Sequence, residues 1–304
     1  MKALEKIREI SSILVACGIE AVDKEAEIIV SHVLGLRLSD IFTHNPELTG
    51  EQTGVVNDIA CRRKKREPLQ YITGHCEFMG MKILVGRGVL IPRPETELMV
   101  ELAIKKVISQ KSKIRSTPPT VPPLVRGGEG GVRILDLCTG SGCISLALAK
   151  EFPEAHVYGT DISEAALDFA KRNADLNRIN NVAFFRGHLL EPLNSLDGPA
   201  SMFDLIISNP PYIKTGDIKT LQPEIREWEP FGALDGGADG LNFYREIISQ
   251  AGKFLKTNGI LMLELGEGCA DDTADMMKEA GYLNIGLHKD YAGIERIIQG
   301  RWTS

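Results

Sequence analysis

Apolar positions recur at helical spacing through the first part of the chain. Leu4, Ile7, Ile10 and Leu14 share one face of a helix that Gly18 stops. Asp23 is expected to cap a second helix carrying Ala26, Ile29, Val30 and Val33 on one side and ending at Gly35. A third helix runs from about Glu51 into the basic run Arg62, Arg63, Lys64, Lys65 and Arg66, with Pro68 just beyond it. Together these predict a small helical domain over residues 1–73 that holds no catalytic constellation of its own.

The period then changes. Cys76, Glu77, Phe78 and Met79, a glycine at 80, and Met81 to Val85 predict two short strands about a turn, a β-hairpin linker over residues 74–91. Two prolines stiffen Ile91-Pro92-Arg93-Pro94-Glu95-Thr96-Glu97 ahead of a helix expected at 97–111. Residues 112–131 (SKIRSTPPTVPPLVRGGEGG) contain four prolines and four glycines and are expected to be a flexible insertion. From 132 onward strands and helices alternate. Strands are expected at 132–137, 156–160, 182–186, 203–208 and 259–265, and near 282–288 and 293–299. Helices fit 143–151, 163–177, 241–256 and 270–280. This alternation predicts an α/β domain over residues 92–304, built on a mostly parallel sheet covered on both faces.

Composition narrows the chemistry. The chain has 304 residues and a net charge of −6, whereas proteins that live on nucleic-acid phosphates are more often basic. The one basic run is read as helix-end cations facing solvent, where they complement the helix dipole. Apolar runs fall short of the ~20 residues of a membrane span, and charged helical sequence follows Met1 directly. Six cysteines never form a CxxC pair, and six histidines include no HExxH. No metal site is expected, and the location expected is a reducing cytoplasm.

Two strand ends suit an adenosine cofactor. The first closes in Asp136-Leu137-Cys138-Thr139-Gly140-Ser141-Gly142, and a helix starts at Cys143. Glycines allow close backbone approach, and the helix N-terminus offers N–H groups to a pyrophosphate or to the carboxylate of S-adenosylmethionine. The strict G-x-G-x-x-G pattern fails, because its last position is Ser145. The next strand ends in Asp161, at the spacing of an acid that accepts both ribose hydroxyls. The bland alternative for Asp161 is an N-cap, a job Ser163 could do equally well.

The most specific signal follows the strand at 203–208, which runs into Asn209-Pro210-Pro211-Tyr212. Two prolines cannot continue a ladder, so they make a stiff loop at the ligand-binding rim of the sheet. The Asn209 amide carbonyl and the Pro210 carbonyl form an acceptor pair suited to a planar NH2 conjugated to a carbonyl or a ring. Tyr212 is expected to offer that substrate a flat face. With the glycine turn and Asp161, the loop reads as an amino-methyltransferase site.

These residues resemble the HemK/PrmC family, which methylates the side-chain amide of glutamine in peptide-chain release factors. The similarity includes Arg66-Glu67-Pro68-Leu69-Gln70-Tyr71-Ile72-Thr73-Gly74, Glu77-Phe78 and Leu90 to Glu97. It continues after NPPY with Glu229-Pro230, Ala233-Leu234, Gly236-Gly237, Asp239-Gly240-Leu241 and Tyr244-Arg245. The resemblance implies a helical domain that binds class I release factors. It also implies a seven-stranded, Rossmann-like class I methyltransferase sheet using S-adenosylmethionine, and methyl transfer to N5 of the GGQ glutamine. Cys138 stands where the family usually has a glycine, and Cys269 where glutamine is common. His188 and Leu189 replace the acid and aromatic that meet adenine, so they are the expected adenine contacts here.

The rival expectation is a nucleic-acid base methyltransferase acting on adenine N6 or guanine N2, which present the same conjugated NH2. The acidic chain and its single short basic run disfavour direct nucleic-acid binding. A nicotinamide oxidoreductase would leave NPPY without a role.

Overall fold

The computed structural model describes residues 1–115, 131–195 and 202–303. These form two compact units, Met1–His75 with Leu221–Trp228, and Cys76–Thr220 with Glu229–Ser304. Most of the expected insertion, residues 116–130, lies outside the described residues. Among the described residues, no helix is long and apolar enough to cross a membrane.

The first unit holds α1 (Ala3–Val15), α2 (Val22–Leu34), α3 (Leu38–His44), α4 (Gly50–Lys64), α5 (Leu69–Thr73) and, from the later segment, α9 (Pro223–Arg226). Its core joins Ile7, Ile10 and Leu14 to Ile29, Val30, Ile41, Val56 and Ile59. Thr49 and Gln52 close α4 with reciprocal side-chain-to-backbone bonds. Asp23 is not the cap of α2. Ala21 takes that position with φ 51° and no side-chain bond, and Asp23 sits in the first turn, where its charge suits the helix's positive end.

The basic run departs further from expectation, since only Lys64 and Lys65 are exposed. Arg62 forks onto Glu67 at 2.5 and 2.9 Å. Arg63, 4% exposed, reaches Glu25 at 2.7 Å and Glu224 at 2.9 Å. Arg66 meets Glu224 at 2.7 Å and donates to the Gly18 carbonyl at 2.8 Å. Three arginines are therefore structural, since a guanidinium can fork between carboxylates.

Where the second unit begins, β1 (His75–Phe78) and β2 (Met81–Leu84) form a two-stranded sheet, and α6 spans Pro94–Arg115. The main sheet uses β3 (Arg133–Leu137), β4 (His156–Asp161), β5 (Val182–Arg186), β6 (Phe203–Ser208), β7 (Leu255–Glu264), β8 (Leu283–Lys289) and β9 (Glu295–Arg301). Their order is β5-β4-β3-β6-β7-β9-β8, with β9 antiparallel to both its neighbours. Helices α7 (Cys143–Glu151), α8 (Glu164–Asn177), α10 (Asn242–Ala251) and α11 (Ala270–Glu279) complete the expected α/β fold. The helix α10 ends before 256, and β7 begins at Leu255, earlier than 259, because Leu255 pairs with Phe203 across a register shift.

Strand order reverses between β3 and β6. Leu137 pairs with Ser208, whose hydroxyl donates to the Leu137 carbonyl at 2.7 Å. The glycine turn and the NPPY loop therefore leave the sheet side by side, at the point where such sheets bind ligands.

Candidate active site

The turn after β3 is built on a buried carboxylate. Asp136 Oδ2 accepts the Thr139 hydroxyl at 2.6 Å, the Ser145 hydroxyl at 2.6 Å and the Ser145 N–H at 3.2 Å. Ser145, the position that broke the dinucleotide pattern, thus has a partner that glycine would lack. Burial pushes the Asp136 carboxyl up to about 6, opposed by these donors. The turn places Cys138 at φ 56° and Gly140 at φ 56°. Left-handed backbone at the cysteine is strained where glycine would not be. Gly142 has φ 79° and caps α7.

Asp161 ends β4. Its Oδ2 accepts the Gly140 N–H and its Oδ1 the Ser163 N–H, both at 2.8 Å. Ser163 itself caps α8 through its hydroxyl, which accepts from Ala166. The capping job is therefore taken, and each Asp161 oxygen keeps acceptor capacity. Burial raises this carboxyl, against the lowering by the N–H groups of Ser163 and Gly140.

A cavity of about 330 Å³ opens between these elements. Its wall includes Cys138, Thr139, Gly140, Ser141, Asp161, His188, Leu189, Asn209 and Pro211 among the residues expected from sequence. His188 also meets Glu246 at 2.9 Å, and its ring lies 6.2 Å from that of Phe243. Four expected site residues lie outside the lining: Asp136, Gly142, Pro210 and Tyr212. Asp136 is committed to its knot, and Gly142 faces α8. Tyr212 is half-buried beside that wall. Its ring packs on Gly266, where a Cβ would come within 2.9 Å of Cδ2, and its hydroxyl meets Glu264 Oε1 at 3.3 Å. Among the described residues, no backbone N–H donates to the Pro210 carbonyl.

Thr96, Ile162 and Phe243 line the same cavity and had no role in the sequence reading. Ile162 is a large apolar side chain left exposed directly after the strand-end acid, a signal visible in sequence. The Asn209 Nδ2 lies 3.3 Å from Thr96 Oγ1, which donates to Glu264 Oε2 at 2.7 Å. Arg93 meets the buried Glu229 at 2.6 Å, just before Pro230, another wall residue.

A cleft at the reversal point of a seven-stranded sheet, with a glycine turn, a strand-end acid and NPPY, defines a methyltransferase. Residues 129–295 match a family model described as a methyltransferase domain, and residues 5–74 match one described as the PrmC N-terminal domain. The release factor glutamine methyltransferase of Thermodesulfovibrio yellowstonii is 45% identical over 98% of this chain and 97% of its own. That of Geobacter sulfurreducens is 40% identical over 93% and 91%. This chain belongs to the release factor glutamine methyltransferase family. Among solved structures, the hMettl16 catalytic domain in complex with a 3′UTR hairpin shares the fold, with TM-score 0.53 and 13% identity over 84% of this chain and 83% of that one.

Proposed function

We propose that this protein methylates N5 of the glutamine side chain in the GGQ motif of class I peptide-chain release factors, with S-adenosylmethionine as donor, and that the helical unit binds the release factor. The observation that carries the reading is the presence of Asn209 and Pro211 in the same cavity wall as the glycine turn and Asp161.

The wall suits S-adenosylmethionine by the chemistry of its groups. Asp161 offers ribose-accepting oxygens, the turn and the start of α7 suit a carboxylate, and Ile162, Leu189, Phe243 and the His188 ring supply apolar surface for adenine. When bound, the donor supplies a methyl group on a positively charged sulfur. The residues of this chain then have mainly a positioning task. Asn209 Oδ1 and the carbonyl of Pro210, whose neighbours on both sides line the cavity, accept the two hydrogens of the glutamine NH2 and aim its nitrogen at the methyl carbon. Accepting both hydrogens also raises electron density on a poor nucleophile. The C–N bond forms as the S–C bond breaks, and one nitrogen proton passes to water. Alignment of this kind is worth up to ~7–11 kcal/mol.

The test is transfer of labelled methyl to a GGQ-bearing release factor, with ribosomal RNA as the competing substrate. Label in the release factor and its absence after Asn209→Ala is the expected result. Removal of a transition-state hydrogen-bonding group predicts a loss of about a hundred-fold or more in kcat, with a smaller change in donor affinity. Label in RNA alone, or near-normal turnover of a folded Asn209→Ala, overturns the reading.

A further inference from the structure

A carboxamide accepts from one side and donates from the other, so Asn209 serves as an acceptor only if its oxygen faces the substrate. Its Nδ2 points to Thr96 Oγ1 at 3.3 Å. A threonine hydroxyl has a single hydrogen, and that of Thr96 goes to Glu264 Oε2 at 2.7 Å. With its hydrogen committed, the Thr96 oxygen can only accept from Asn209. Thr96 and Glu264 are 2% and 1% exposed, so water does not compete for these groups. The second oxygen of Glu264 accepts from the Tyr212 hydroxyl at 3.3 Å, linking the last residue of NPPY to the same carboxylate.

We propose that Thr96 and Glu264 are positioning residues that hold Asn209 with Oδ1 toward the substrate amide, and that ionised Glu264 is the form that does so. This rests on the reading of Asn209 as the amide acceptor. A protonated Glu264 has a hydrogen to give. Once that hydrogen goes to Thr96, the threonine hydrogen is free to point at Asn209, and the carboxamide turns its oxygen inward, away from the substrate.

The surroundings put that change within reach. Burial pushes Glu264 up to about 7, opposed by the Thr96 and Tyr212 hydroxyls. Glu95 of α6 raises it further, and Arg296 of β9 lowers it. Tyr244 of α10 donates to the Glu264 backbone carbonyl at 2.9 Å and leaves the carboxylate to the other two hydroxyls.

The test is single-turnover methylation on both sides of pH 7, with donor affinity measured in parallel, for the parent, Thr96→Val, Thr96→Ser, Glu264→Gln and Asn209→Ala. The parent rate should rise with pH through about 7. Thr96→Val should lose about ten-fold or more in kcat, the equivalent of one oriented hydrogen bond, with little change in KM for the release factor. Thr96→Ser restores the hydroxyl and should restore the rate. Glu264→Gln should be slow and flat across the range. A parent-like rate in Thr96→Val, or a parent-like pH rise in Glu264→Gln, overturns the proposal. If Glu264→Gln fails to fold, the valine and serine pair decides. If Asn209→Ala is inactive while Thr96→Val is normal, the positioning role alone falls. A normal Asn209→Ala would remove the acceptor reading itself.

Discussion

The Asp161 carboxylate accepts the Gly140 N–H at 2.8 Å, so the acid at the end of β4 also holds the glycine turn after β3. Asp161→Ala is therefore expected to act twice. It removes acceptors for the ribose and releases the turn, lowering S-adenosylmethionine affinity about ten- to hundred-fold. Asp161→Asn keeps one acceptor oxygen and should fall between. Calorimetric titration checks both, and unchanged affinity in the alanine variant would defeat the ribose assignment.

Gly142 sits where no side chain fits. It has φ 79°, and a Cβ there would come within 3.0 Å of the Ala170 Cβ and 3.2 Å of the Ala170 Cα. Gly142→Ala is expected to cost roughly 2–4 kcal/mol, combining left-handed strain with overpacking. Adding Ala170→Gly removes the 3.0 Å contact but leaves those to the Ala170 Cα and the Phe184 ring, so it should restore little of the loss. Urea unfolding of the single and double variants measures both losses, and parent-like stability in Gly142→Ala would contradict the prediction.

Glu264 gives stability its own pH dependence. Burial raises its carboxyl from the ordinary 4.5 to about 7, so the folded protein holds this proton more tightly than the unfolded chain does. The group's contribution is thus full below 4.5 and is lost as pH rises through 7. Glu264→Gln cannot titrate. Relative to the parent it should gain on the order of 3 kcal/mol across that window. Parallel unfolding curves at all pH values would contradict this.

Arg63 should matter for the stability of the helical unit. Arg63→Ala leaves Glu25 without its buried guanidinium and Glu224 with Arg66 alone, at a cost of up to about 3 kcal/mol. Arg63→Lys keeps the charge but not the fork, and should lie between. Denaturant unfolding supplies the numbers, and proteolysis within Leu221–Trp228 should quicken in the alanine variant.

Local pattern carried most of the architecture. Strands at 182–186 and 203–208 are visible as β-rich runs between turn residues, and the strand and helix alternation predicts the parallel sheet. The start of β7 was hidden because Lys256, Thr257 and Asn258 are polar and look like a loop until Leu255 pairs with Phe203. Arg63 looked like solvent-facing charge because nothing near it in sequence announces Glu25 or Glu224. The surroundings of Asn209 were illegible for the same reason. Thr96 and Glu264 are 168 residues apart, and no periodicity reports a hydrogen bond at that separation.

The segment Leu221–Trp228 gives the helical unit an ownership that the N-terminal family match, residues 5–74, does not capture. The backbone passes between the units after His75, after Thr220 and again after Trp228. The unit is thus drawn from two separate stretches of the chain. A gene fragment ending before codon 76 would encode it without Glu224, the shared counter-ion of Arg63 and Arg66. Grafting it between relatives, or between substrates in evolution, means exchanging two separate stretches of coding sequence together.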